Sequence, residues 1–275
     1  MTQSGATEVY PPQHVMNTFT TSASVALRSA TPKQLGPAWD NGWLVGETVF
    51  SHTGDFGTFS ARVRDKLTDK FNVEGARVAK PLRSTDGRYN VAGWIASAYS
   101  AGSPAKRVDE TALVALRLEE ALEKAEVALP NAGTAQQRED VFAQAEKMAW
   151  AETGEAYRAL DLSPGELTLG HADLLASVLY NGAQAPVITS IVPTAALRPR
   201  GYTAALVVVD GLIQEAVDEG ICSRFGHIKH FDQLLLRAAA YRRYVNNLHP
   251  HSKTNVRSRI EHVENLLMSR VNGNM

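Results

Sequence analysis

Between Ser100 and Arg107 the chain changes its rhythm: SAGSPAKR brings Gly102 and Pro104 together, and the residues on either side follow different periods. Before it, the β-prone runs WLVGETVF, GARVAKPL and YNVAGWIASAY are separated by turn residues, and Asp86-Gly87 predicts a tight turn joining strands. One stretch departs from this pattern. In FSARVRDKLTDKF, residues Phe59, Val63 and Leu67 recur at helical spacing, which predicts a single helix inside the strand-rich part. After the break, the patterns are long and helical. DETALVALRLEEALEKAEVAL is expected to place Leu113, Leu116 and Ala121 on one side, and AQQREDVFAQAEKMAWAE follows a Pro-Asn-Ala-Gly turn. Three more helices are expected from TAALVVVDGLIQEAV, FDQLLLRAAAYRRYVNNL and VRSRIEHVENLLMSR.

One hairpin interrupts the helices. Val178-Leu179-Tyr180 and Val187-Ile188-Thr189 flank the Asn181-Gly182 turn signal. The pattern as a whole predicts an α+β chain: a strand-rich part over 1–100, then a helical part over 101–275 with an inserted hairpin at 178–190.

Composition narrows the function classes. A chain of 275 residues with 44% hydrophobic and 21% charged residues can bury a sizeable core, and a formal charge of −1 argues against a basic nucleic-acid surface. Cys222 is alone, which rules out an intrachain disulfide and any metal site built on several thiolates, and points to the cytoplasm. MTQSGATEVYPPQ has no basic, apolar leader pattern. The longest apolar stretch, AALVVVDGLI, is broken by Asp210 and reads as a buried helix, so no membrane partner is expected.

The usual catalytic fingerprints are missing: the sequence has no GxxxxGK[ST], no GxGxxG and no GxSxG. His227, His230, His249 and His251 lack a companion carboxylate motif and are expected at the surface or between domains, so no metal site is assigned. Arg237, Arg242 and Arg243 are expected on a solvated helical face. Trp39, Asp40, Asn41 and Trp43 fit a hairpin turn with two Trp packed on the sheet, or else a functional lip.

The order of these elements, with HADLLASVLY and the hairpin after it, resembles the two-lobed protein-kinase-like fold of aminoglycoside phosphotransferases. It also resembles a group of actinobacterial proteins distantly related to them. The resemblance runs from about Pro11 to Leu267. It implies a small antiparallel-sheet N-lobe and a mainly helical C-lobe meeting near residues 99 to 106. LGPAWDNGW then takes the place of the phosphate-covering hairpin, with Asp40 and Asn41 at its tip. GETVFS takes the strand that normally ends in a phosphate-binding Lys, and Trp94 falls near the adenine position. HADLLASVLY takes the catalytic loop, with Asp173 as the catalytic Asp and His171 as its support. VITSI takes the strand of the metal-binding Asp. ATP and Mg²⁺ are the cofactors this family implies.

Several of those positions carry different chemistry. Phosphoryl transfer depends on a Lys at the phosphates, metal ions that neutralise charge, and an Asp that orients the hydroxyl. Ser177 or Val178 stands where the loop Asn belongs, Ser190 where the metal Asp belongs, and Ser51 or His52 where the Lys belongs. Between Lys33 and Arg62 there is no Lys or Arg at all. The leading expectation is therefore a phosphotransferase-like protein, in the manner of a pseudokinase, that binds a small-molecule ligand or a protein partner in its interlobe cleft. An atypical ATP-dependent small-molecule kinase with Asp173 as base is the alternative, and a helical scaffold is a third reading. His171 and Asp173 serve equally well as a buried pair bracing the loop.

Overall fold

The structure is a computed structural model that describes residues 10–19, 31–130, 132, 138–250 and 254–273. In chain order its first elements are α1 (Gln13–Phe19), β1 (Lys33–Gln34), β2 (Trp43–Val45), β3 (Thr48–His52), α2 (Gly54–Asp69), β4 (Arg77–Val78), β5 (Pro81–Leu82), β6 (Asn90–Val91) and β7 (Trp94–Ala98). They are followed by α3 (Val108–Lys124), α4 (Val141–Trp150), β8 (Leu167–Thr168), β9 (Val178–Leu179), β10 (Val187–Ile188) and β11 (Arg198–Pro199). The chain closes with α5 (Tyr202–Ile213), α6 (Gly220–Arg224), α7 (Phe231–Leu248) and α8 (Thr254–Gly273). The fold is thus a mixed α+β one, as the two rhythms of the sequence imply.

Described residues up to Ala105, together with Ala176–Val192, form one compact unit; Lys106–Leu175 and the described residues from Pro193 onward form the other. The first is organised by an antiparallel six-stranded sheet in the order β1-β2-β3-β7-β5, with β6 also paired to β7. Side chains alternate between the faces of a strand, so register decides what each face carries. Phe50 pairs with Ala96 and His52 with Trp94, while Val49 pairs with Ser97 and Ser51 with Ile95. On one face, Val45, Phe50, Trp94 and Ala96 form a buried cluster with Val15, Met16 and Phe19 of α1. On the other, Val49 joins Ala38, Trp39, Ala79, Leu179 and Val187. Burying a side chain such as Phe50 contributes about 1.5–3 kcal/mol, so these two clusters supply much of what holds the unit together.

Leu179 and Val187 belong to the hairpin, and they explain its placement. β10 pairs antiparallel with β9 and parallel with β4, through Val187↔Arg77 and Ile188↔Val78. The hairpin had been expected within the helical part, yet residues 176–192 pack with the sheet-bearing unit. Its connection is also longer than the two-residue turn suggested by Asn181-Gly182: the strands end at Leu179 and resume at Val187, with Gln184 N donating to Asn181 O at 3.1 Å. The Asp86-Gly87 turn forms, with Gly87 at φ 83° donating to Ser84 O at 2.8 Å. The strands on either side of it, β5 and β6, pair with β7 and not with each other.

The second unit is helical. α4 and α6 are the short members, while α7 packs against α4, α5 and α8, and α3 packs against α5. Asp140 caps α4 by accepting from Phe142 N and Ala143 N at 3.1 Å each, and Asp109 and Glu110 in the first turn of α3 suit its positive end. α5 is buried almost all round, as its unbroken apolar run requires. Two expectations about helix faces are corrected here. Leu113 is 45% exposed, because the buried stripe of α3 runs through Thr111, Ala115, Leu118 and Leu122 at helical spacing. The arginines of α7 do not form a solvated face. Arg237 is buried, bonded to Gln233 and to Arg158 O, and Arg242 is enclosed by partners described below.

Candidate active site

The segment expected to take the place of a catalytic loop, HADLLASVLY, begins in the helical unit, just beyond β8. His171 is completely buried, and its Nδ1 accepts the backbone N–H of Asp173 at 3.1 Å. A nitrogen that accepts cannot carry a proton, so this bond holds the imidazole with Nδ1 bare. His171 N donates to Thr203 Oγ1 at 2.9 Å and Gly170 N to Thr194 Oγ1 at 3.1 Å, tying the loop to the start of α5 and to the segment after the hairpin. The imidazole thus holds the main chain of Asp173, whose side chain, 25% exposed, is left to other partners.

One of those partners is Arg242. Its Nη2 lies 3.7 Å from Asp173 Oδ1, donates to Ala172 O at 2.9 Å, and with Nε makes a two-pronged contact to Asp210 at 2.5 and 2.6 Å. Burial disfavours the charge of Arg242, but the carboxylates of Asp210 and Asp173 outweigh it and raise its pKa. Sequence reasoning missed this network. The polar interruption of an otherwise apolar helix by Asp210 was the one available signal, since a buried carboxylate needs a partner.

The remaining candidates lie in the sheet-bearing unit. Ser190 Oγ donates to Ser177 Oγ at 3.1 Å, so the structure brings together the two residues at the expected metal positions. Both are buried. Thr189 Oγ1 shares its one proton between Ala38 O at 2.5 Å and Ser177 O at 3.0 Å, and Ile191 N donates to Ser60 Oγ at 2.8 Å, which anchors the hairpin end to the lip and to α2. A hard cation such as Mg²⁺ is held by carboxylates at close range. Two hydroxyls bonded to each other do not fit it, and among the described residues no group of three or more His, Cys, Asp or Glu is arranged to hold a metal.

Asp40 and Asn41 sit at the tip of a short 3-10 turn, Pro37–Trp39, both with φ of 53°. That left-handed backbone is one Asp and Asn tolerate. Asp40 N donates to Pro37 O at 2.9 Å and Asn41 N to Gly36 O at 3.2 Å, closing the lip on itself. Ser51 donates to Trp39 O at 3.0 Å. A side chain at Gly42 would press its Cβ to 2.6 Å from Phe50 O, so only Gly fits under the lip. Trp94 is not beside these groups. It packs in the α1 cluster, edge-on to His52 with ring centroids 5.2 Å apart, and by register it faces away from Ser51.

A cation does reach the Ser51 face, from a place the strand pattern did not suggest. Arg64 of α2 is 1% exposed and donates through Nη1 to Ala79 O and Ser97 Oγ, each at 3.0 Å. Ser97 pairs with Val49, two residues before Ser51, so Arg64 lies under the same sheet face. Burial lowers its pKa to about 10, against the opposing charge of Asp40. Its Nε is buried without a hydrogen-bond partner. Of the histidines expected at the surface or between domains, His227 is exposed beside Phe225, His230 opens α7 at φ 59° and His249 caps its end beside Phe142, both half-buried, and His251 falls outside the described residues.

No protein-family model and no curated protein matches the chain. Among solved structures, it is similar to the crystal structure of an aminoglycoside phosphotransferase from Alicyclobacillus acidocaldarius subsp. acidocaldarius DSM 446. The identity is 12%, over 99% of this chain and 98% of that one, at a TM-score of 0.58. The fold is accordingly like that of an aminoglycoside phosphotransferase along its whole length.

Proposed function

We propose that the chain is a two-lobed, kinase-like phosphotransferase relative that has lost ordinary Mg-ATP chemistry and works by binding a small-molecule ligand or a protein partner. The observation that carries this reading is the bond between Ser177 and Ser190. Where metal-dependent phosphoryl transfer needs carboxylate and amide oxygens, this chain has two serine hydroxyls, one donating to the other. Positioning and charge do almost all the work of phosphoryl transfer, so a site without metal ligands has lost its main source of transition-state stabilisation. Calorimetric titration of ATP with and without Mg²⁺ tests the proposal. The expected outcome is no Mg²⁺-dependent binding, and tight Mg²⁺-dependent binding would overturn it.

A second reading has specific support. Arg242 sets a permanent positive charge beside Asp173 while His171 holds its main chain, an arrangement suited to keeping a carboxylate ionised and aimed at a hydroxyl. Under that reading the chain is an atypical small-molecule phosphotransferase with Asp173 as base, and Arg64 supplies a cation on the Ser51 face. Asp173→Asn would then abolish ATP turnover with the fold intact. Full turnover in that variant would exclude the role.

A further inference from the structure

A concavity of about 330 Å³ opens in the sheet-bearing unit between α2 and the turn that joins β5 to β6. Arg62, Arg83 and Arg88 line it with Thr58, Tyr89 and Asn90, and no carboxylate is among the lining residues. Its volume is at the lower end for sites that hold small organic ligands.

The cations are arranged by groups lying outside the cavity. Asp65, one turn along α2, accepts from Arg83 Nη2 at 2.8 Å and from Tyr89 Oη at 2.5 Å. That bond sets the Arg83 guanidinium over the Tyr89 ring, 4.4 Å from its centroid. Asp86 holds Arg88 by Nε at 2.7 Å and accepts from Ser84 Oγ at 2.5 Å, while that hydroxyl accepts from Arg88 N at 3.0 Å and so closes the turn. Arg62 forms no ion pair among the described residues. Three arginines thus line one concavity, while Asp65 and Asp86, which pair with two of them, lie outside its lining, leaving an excess of one positive charge.

We infer that this concavity is a binding site for a phosphoryl group, either as free phosphate or as the head of a small phosphomonoester. Guanidinium N–H donors match phosphate oxygens in pairs, and three of them exceed what a single carboxylate can accept. Arg83 and Arg88 give up little freedom on binding because Asp65 and Asp86 already hold them, which lowers the entropic cost of capture. Thr58, on the same lining, supplies a hydroxyl. The site belongs to neither the catalytic loop nor the hairpin, so it stands apart from the proposed loss of Mg-ATP chemistry.

Titration calorimetry on the full chain with sodium phosphate and with phenyl phosphate, against sodium chloride at matched ionic strength, tests the inference. Saturable binding of both ligands identifies the phosphoryl group alone as the determinant, and saturable binding of phenyl phosphate only identifies an organic phosphomonoester. In either case Arg62→Gln and Arg88→Gln, both at exposed positions, are expected to weaken binding at least about tenfold. No saturable binding of either ligand, or binding unchanged in both variants, overturns it. Unchanged circular dichroism and thermal midpoint in the variants assign the loss to the site and exclude unfolding.

Discussion

Arg242 joins Asp173 to Asp210: one guanidinium makes a two-pronged contact with the α5 carboxylate and stands 3.7 Å from the loop carboxylate two residues past His171. The side chains of Arg242 and Asp210 are only 11% and 13% exposed. Charge this enclosed is costly to strand. Removing one partner of a buried pair leaves the other uncompensated, whereas removing both together relieves it.

Arg242→Ala is therefore expected to lose about 3–5 kcal/mol of stability, seen as a lower urea midpoint with an unchanged slope. Adding Asp210→Asn should recover part of that loss, giving a double-mutant coupling above about 1 kcal/mol. Additive losses would mean that the two side chains do not sense each other.

Arg64 separates charge from packing. Arg64→Met keeps most of the volume and removes a buried charge, while leaving Ala79 O and Ser97 Oγ short of a donor. Its expected cost is below about 2 kcal/mol. Arg64→Ala adds a cavity and should cost at least about 1 kcal/mol more. Equal losses in the two variants, measured by chemical denaturation, would place the whole contribution of Arg64 in its hydrogen bonds.

The fold was legible in the sequence wherever periodicity was strong, and the site only where a motif was local. Val63 and Leu67 at helical spacing mark α2, and Val49 and Phe50 alternate across β3 as a strand with both faces covered must. Leu113 was misplaced because α3 carries apolar residues on more than one side, so spacing alone cannot choose the buried face. The hairpin was found, but its packing against β4, a hundred residues earlier, is a pairing no local signal encodes. The family resemblance sets Ser177 or Val178 at the loop Asn and Ser190 at the metal Asp, and in the structure Ser190 Oγ donates to Ser177 Oγ. Arg64 and Arg242 were hidden for a shared reason: an Arg on a helix looks solvated until a distant element supplies its acceptors.

Acid should expose the Lys229–Glu166 contact. Lys229 and the main-chain and side-chain donors of Ser163 lower the Glu166 carboxyl from 4.5 to about 2. A depressed carboxyl means that the unfolded chain binds the proton more readily. The contribution is present above pH 4.5 and is lost as the pH falls toward 2. In acid titrations followed by circular dichroism, Glu166→Gln should be less stable than the parent at pH 6, and the gap should close across that window. A gap independent of pH would show that the carboxylate's charge is not what the contact uses.

Cys222 offers a probe of local opening. It is the only cysteine of the chain, lies fully buried in α6, and burial raises its thiol pKa to about 11. The thiolate is the reactive form, so at pH 8 both the small thiolate fraction and the lack of access oppose modification. Iodoacetamide should label the native chain at least about a hundredfold more slowly than the chain in urea, because labelling must await opening of the helical unit. Urea below the unfolding transition should accelerate the reaction only as far as it populates that opening. Labelling at the unfolded rate under native conditions would mean that α6 does not stay packed, and the burial assigned to Ile221, Cys222 and Phe225 would have to be abandoned together.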